Sequence, residues 1–247
     1  MKQFIIAGIV GLATTCFCMA DTKDDVKNAA KQLAGKDNYS WTQTTKNEGG
    51  GGGFGGRGGF PSEGKINKDG LAYVVSKFTN QDGDEMIFER AMKGEKTAVK
   101  GQDGTWQAVG APGQGGGGRG GRGGGGFMGG ARNPVATAEN LVSKVSELKT
   151  SEPGVFAGDL TEEGAKSLLT FGGRGGQNAP QVAGAKGSAK FWIKDGILAK
   201  IEYKVQGKVT FNDQEMDRNT TTTIEIKNVG TTKVEVPKEA QDELNKN

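Results

Sequence analysis

The sequence predicts an α+β domain: one antiparallel sheet with helices on one face, interrupted by glycine-rich loops. Two observations carry the sheet and its helices. Short β-patterned runs follow one another at separations of two to six turn-forming residues, which suits hairpins and is too short for parallel crossovers. Helical periodicity, in contrast, is confined to the start and the middle of the chain, with one short charged helix at the end. A third observation concerns the loops. Of 44 glycines in 247 residues, 26 fall in three tracts, at 49–59, 113–130 and 172–176, so the rest of the chain has an ordinary composition. The tracts lack the strict G-X-Y period of collagen.

The first twenty residues are expected to be absent from the mature fold. Lys2, the apolar run FIIAGIVGLATTCF and Ala20 ahead of DTKDD have the order of a secretory signal peptide cleaved near Ala20. The run is shorter than the ~20 apolar residues a membrane span needs. Lipidation at Cys16 or Cys18 is the alternative reading of this segment. The remainder, 21–247, reads as a single domain.

Residues 22–34 predict an amphipathic helix, with Val26, Ala29, Ala30 and Leu33 on one face, Thr22 as cap and Gly35 as stop. Asp24 and Asp25 suit its positive end. Tyr39, Trp41 and Gln43 then alternate with Ser40, Thr42 and Thr44 in a strand. From 65 to 109, LAYVVSKF, MIFERAM, TAVK and TWQAV form a meander. Leu141, Val142, Val145 and Leu148 predict a middle helix, started by Asn133-Pro134 and stopped by Pro153-Gly154. GVFAGDL is a short strand, and Thr161 caps a helix over EEGAKSLL. In SAKFWIKDGILAKIEYKV a Lys194-Asp195-Gly196 turn joins two strands. Further strands are expected near KVTF and TTTTIEIKNV, about nine in all, and Val234, Val236 and Pro237 precede the last helix.

Composition excludes much chemistry. Signal cleavage removes both cysteines, and the chain has no histidine. Cys or His zinc sites, Ser-His-Asp and Cys-His nucleophiles and the usual haem ligands are therefore ruled out in the mature chain. No cofactor is expected. Its 31 basic against 29 acidic residues give a net charge of +2, which calls for no polyanionic partner. Residues 80–85 (NQDGDE) read as a hairpin turn, since they lack the spaced ligands of a calcium loop. Asp213, Glu215 and Asp217 alternate onto one face of an extended segment, and only a hydrolytic activity dependent on them would make this an enzyme.

Several segments resemble the LolA/LolB and LppX/LprG group of exported lipid or lipoprotein carriers. They are KGEKTAVKGQDGTWQ, VFAGDLTEEGAKSLL, AKFWIKDGILAKIEYKV and the ending TTTTIEIKNVGTTKVEVPKEA. The resemblance covers 22–48 and 65–245. It implies a curved, open half-barrel whose concave face is apolar, is covered by helices, and holds a lipid or another apolar small molecule in the periplasm or cell envelope. The largest apolar residues available to line such a cup are Val75, Phe78, Ile87, Phe88, Leu141, Val145, Phe191, Ile193, Ile201 and Tyr203. The same pattern also fits plain core.

Five of the seven arginines, Arg57, Arg119, Arg122, Arg132 and Arg174, lie in or beside the glycine tracts. Guanidinium forks on flexible backbone can hold phosphate or carboxylate. In an exported protein this favours an anionic envelope surface or a lipid headgroup over nucleic acid, with expanded loops lacking any ligand as the plainer reading.

Overall fold

The computed structural model describes residues 22–48, 61–79, 83–109, 133–170, 180–211 and 214–246. The signal segment, the three glycine tracts and the five arginines within or beside them lie outside these residues.

Eleven strands form one antiparallel sheet in the order β6-β5-β4-β3-β2-β1-β11-β10-β9-β8-β7. The first half comprises β1 (Asn38–Asn47), β2 (Ser62–Asn67), β3 (Leu71–Thr79), β4 (Glu85–Lys93), β5 (Lys96–Lys100) and β6 (Trp106–Val109). The second comprises β7 (Lys149–Glu152), β8 (Val155–Asp159), β9 (Gln181–Lys194), β10 (Ile197–Phe211) and β11 (Gln214–Lys227). The helices are α1 (Thr22–Ala34), α2 (Pro134–Lys144), α3 (Glu162–Leu169) and α4 (Lys238–Asn245). β1 joins the two halves by pairing with β2 on one side and β11 on the other.

Local chemistry accounts for the element ends. Asn133 accepts a hydrogen bond from the Ala136 backbone N–H at 2.8 Å, and Thr161 accepts one from Gly164 at 3.0 Å, so both helices have the side-chain caps expected of them. Asp195 (φ 52°) and Gly196 (φ 75°) form the two-residue turn between β9 and β10, where left-handed backbone at both positions matches the twist of the strands. Thr22 departs from expectation: it lies in the first turn of α1, and its hydroxyl donates to the Leu148 carbonyl at 2.6 Å. The Lys23 ammonium likewise donates to the Val145 carbonyl at 2.7 Å, so the start of α1 is tied to the end of α2.

The expected count of nine strands is too low. β2 and β7 carry little apolar signal, because β2 buries Ser62, Gly64 and Ile66, and β7 (KTSE) is exposed throughout. The strands expected over IEYKV and KVTF are one strand, β10, which continues through a register irregularity between Gln206 and Lys208. Pro153-Gly154 does not stop a helix. α2 ends at Lys144, Val145 bridges to Leu160, and Gly154 (φ 75°) turns β7 into β8.

Strand alternation defines two faces. The face that carries Trp41, Val74, Phe191, Ile201 and Ile224 is termed inner, and the main core lies on it. α1 and α3 pack on β9 and β10 of that face, and α2 packs on α1 and α3. The apolar side of α1, Val26, Ala29, Ala30 and Leu33, is at most 3% exposed, and burial of Val26 and Leu33 alone stabilises by roughly 1.5–3 kcal/mol each. One expectation is corrected: the helices do not share a single face. α4 packs Ala240 and Leu244 against Leu71, Tyr73, Ala91, Ala98 and Trp106, which point from β3–β6 to the outer face.

Candidate functional site

The inner face changes character across the sheet and along it. On the β8–β11 side the chain's own helices fill it. Phe191 and Ile201 are 0% exposed, and Leu141 and Val145 are at most 2% exposed, so these four residues are packed within the core. Ile193 and Tyr203 pack at its margin, half-buried.

On the β2–β5 side no described helix makes a substantial contact with the inner face. Cross-strand pairing orders the side chains there into rows. Ala72, Met92 and Thr97 form one row, Val74, Arg90 and Val99 the next, and Ser76 and Phe88 a third. Of these, Ala72, Val74 and Thr97 are buried and the others half-buried. The rows continue into β2 and β1 as Ile66 and Tyr39, Gly64 and Trp41, then Ser62 and Gln43. The face therefore grades from apolar to polar along the strands. Beyond Gln43 the next pair is Thr45 and Thr222, whose hydroxyls share a hydrogen bond of 3.0 Å.

Gly64 sets the packing of the second row. A Cβ at this position would lie 2.1 Å from Cζ2 and 2.2 Å from Cε2 of Trp41, so the indole occupies the space that a side chain would take. Trp41 is 1% exposed, and its Nε1–H has no hydrogen-bond partner among the described residues. In the same row, burial holds the Arg90 guanidinium below its usual pKa. Arg218, also on the inner face opposite Gly207, is displaced in the same direction for the same reason.

The ten apolar candidates thus do not form one lining. Phe88 lies on the part of the inner face that no described helix covers, while Val75 and Ile87 project to the outer face, where Ile87 is 53% exposed; the Phe78 side chain lies outside what the structure describes. The parity of strand positions carries this signal, since Ile87 and Phe88 are neighbours in one strand and cannot share a face. Sequence reasoning missed Trp41, Val74, Arg90 and Met92.

The outer face of the second half is polar. Trp192 sits there with Lys200 Nζ 4.3 Å and Lys190 Nζ 5.1 Å from its ring centroid, within the range of cation–π attraction. A depression of about 370 Å³ on this face is lined by Glu48, Lys190, Glu202 and Lys204, among others. A second, of about 290 Å³, opens beneath α1 between Asp25, Asn28 and Gln32 and the side chains of Phe156 and Ile193. Glu215 pairs with Lys208 at 2.5 Å, and Asp217 faces the same lysine across the β10–β11 ladder, while Asp213 lies outside the described residues. Among the described residues no group of three or more His, Cys, Asp or Glu could hold a metal ion. Nor is any described helix long and apolar enough to cross a membrane.

No protein-family profile and no curated protein matches the chain. Its structure is similar to that of LprF from Mycobacterium bovis. That likeness has a TM-score of 0.42 at 12% identity and covers 88% of this chain and 96% of LprF. A DUF1329 family protein from Desulfovibrio piger is similar at a TM-score of 0.28 and 10% identity, over 84% of this chain and 90% of that one.

Proposed function

We propose that this chain is an exported, non-enzymatic carrier or sensor that holds a lipid or another apolar molecule against the inner face of a half-barrel. The division of the inner face carries the reading. Three helices cover the β8–β11 side, whereas Phe88, Met92 and Val99 stay half-buried around the buried Val74 on a stretch of the inner face with no described helix packed over it. An open sheet of eleven strands supports the curvature, since twisted sheets beyond about ten strands tend to curl. The polar rows at Gln43, Ser62 and Thr222 would meet the polar end of such a molecule, and the apolar rows its chain. Ligand sites are built this way, largely apolar with a few placed polar groups.

Phe191, Ile201, Leu141 and Val145 then serve as the fixed core beneath the helices. Phe88 is the aromatic contact on the side without a helix. Mature protein extracted under native conditions is expected to carry co-purifying acyl lipid, seen by native mass spectrometry with lipid extraction. Repeated spectra of apo protein alone, from several extraction conditions, would overturn the proposal.

The concentration of five of seven arginines in the glycine tracts favours a second reading, contact with anionic envelope surfaces through these loops. It requires salt-sensitive adsorption to anionic vesicles that is lost when the five are changed to glutamine.

A further inference from the structure

The pairing of β8–β11 explains the depression on their outer face. Ala157, Lys190, Glu202 and Thr223 form one row across these strands, and Asp159, Ser188, Lys204 and Thr221 the next. Ala157 and Ser188 are short beside Lys190, Glu202 and Lys204, which leaves a hollow of about 370 Å³ that Glu48 and Thr221 also line. Its charges cancel. Lys204 pairs with Glu48 at 2.7 Å, Lys200 with Glu202 at 3.3 Å, and Lys190 with Glu152 at 3.7 Å. An ammonium has three donors and a carboxylate about four acceptor sites, so these pairs keep hydrogen-bonding capacity for a ligand, and Ser188 and Thr221 add hydroxyls. Two residues along β9 from Lys190, about 6.8 Å, Trp192 stands half-buried on the same face. Lys190 Nζ lies 5.1 Å from its ring centroid, so one lysine borders both the hollow and the indole.

We propose that this hollow and Trp192 form a binding site for an uncharged oligosaccharide, on the opposite face of the sheet from the apolar rows and independent of the carrier reading. The chemistry of the walls selects that class. A phosphate or carboxylate would meet Glu48 and Glu202, and an ammonium would meet Lys190 and Lys204, so neither sign gains a net attraction. An acyl chain would have to strip water from all four ionised groups. Sugar hydroxyls both donate and accept, and they pair with ammonium and carboxylate alike while leaving each ion with its partner. The C–H face of a pyranose is apolar and suits the accessible part of an indole. A chain of two or three sugars reaches from the hollow to Trp192.

The test titrates the mature chain with maltotriose, cellotriose and triacetylchitotriose, followed by calorimetry and by the indole N–H resonances. At least one of these sugars is expected to bind and to shift the Trp192 resonance. Those of Trp41 and Trp106, at most 9% exposed, are expected to stay in place. Ser188→Tyr fills the hollow from an exposed strand position that suits an aromatic residue, and should weaken binding of that sugar about tenfold or more. Trp192→Leu removes the stacking surface and should weaken it roughly three- to tenfold. Raising the salt from about 0.05 to about 0.5 M should change the affinity less than about twofold, because no net charge is neutralised. Binding of none of the three sugars, binding indifferent to both substitutions, or a steep loss with salt overturns the proposal. Adsorption to phosphatidylglycerol vesicles that moves the Trp192 resonance, where the sugars do not, assigns the face to a membrane surface and overturns it as well. Co-purification of acyl lipid is a separate readout, so the carrier reading stands or falls on its own.

Discussion

Gly64→Ala is the substitution whose outcome the packing fixes most closely. Its new Cβ would sit 2.1 Å from Trp41 Cζ2, far inside contact distance, and the indole cannot retreat freely because Trp41 is 1% exposed. Overpacking of this kind costs about 1–3 kcal/mol. For an ordered region of this size each kcal/mol lowers the melting temperature by about 2–4 °C, so the variant should melt roughly 2–12 °C below the parent. The decisive measurement adds the same substitution to Trp41→Ala. Removing the indole alone costs about 3–5 kcal/mol through the cavity it leaves. Without the indole, alanine meets no ring and regains the roughly 0.5–1 kcal/mol that glycine forfeits in a strand. The effect of Gly64→Ala therefore changes sign between the two backgrounds. Far-ultraviolet circular dichroism melts of the four proteins give this cycle. Destabilisation by the same amount in both backgrounds would refute the claim that Trp41 is what requires glycine at position 64.

Three further outcomes follow from the packing and the caps. Leu244→Ala should cost about 2–5 kcal/mol, because Leu244 is 2% exposed where α4 docks on β4–β6, and hydrogen exchange should quicken in those strands before any change appears in β9 and β10. Burial tends to raise the Glu89 carboxyl, but hydrogen bonds from Lys100 and Tyr73 outweigh it and leave the group below the usual glutamate range. Its contribution to stability is thus full above the ordinary glutamate pKa of about 4.3 and declines as pH falls through the lowered folded value, so Glu89→Gln should destabilise at pH 7 and approach the parent in acid melts. Asn133→Ala removes the α2 cap and should cost about 1 kcal/mol, measured by urea unfolding.

Much of the fold is legible in the sequence wherever periodicity and punctuation agree. The face of α1, the caps at Asn133 and Thr161, and the Asp195-Gly196 turn are all local, and each is found where the residues predict it. What is not legible depends on distant partners. Ser62 and Gly64 are buried only because β2 lies between β1 and β3, and no apolar pattern announces this. The placement of α4 on the outer face follows from Leu71, Tyr73 and Trp106 projecting there, a parity that emerges only once the β3–β6 register is known. The site suffers most. Size singled out Phe191 and Ile201, which the helices cover, whereas Arg90 gains its setting from neighbours on β3 and β5.

The pairing of β1 between β2 and β11 bears on the order of assembly. Ser40 lies opposite Lys65 on one side and Lys227 on the other, so one flank closes within a few dozen residues and the other spans most of the chain. A nascent chain emerging from its amino end can form the β1–β6 meander early, but β1 keeps one unpaired edge until the last strand arrives. Such long-range closure slows folding, and the waiting edge is open to pairing with another molecule. Because closure entropy grows only logarithmically with loop length, the glycine tracts add little to that delay. Vulnerability to mispairing should therefore track the arrival of β11, and a chain cut before Gln214 should associate through β1.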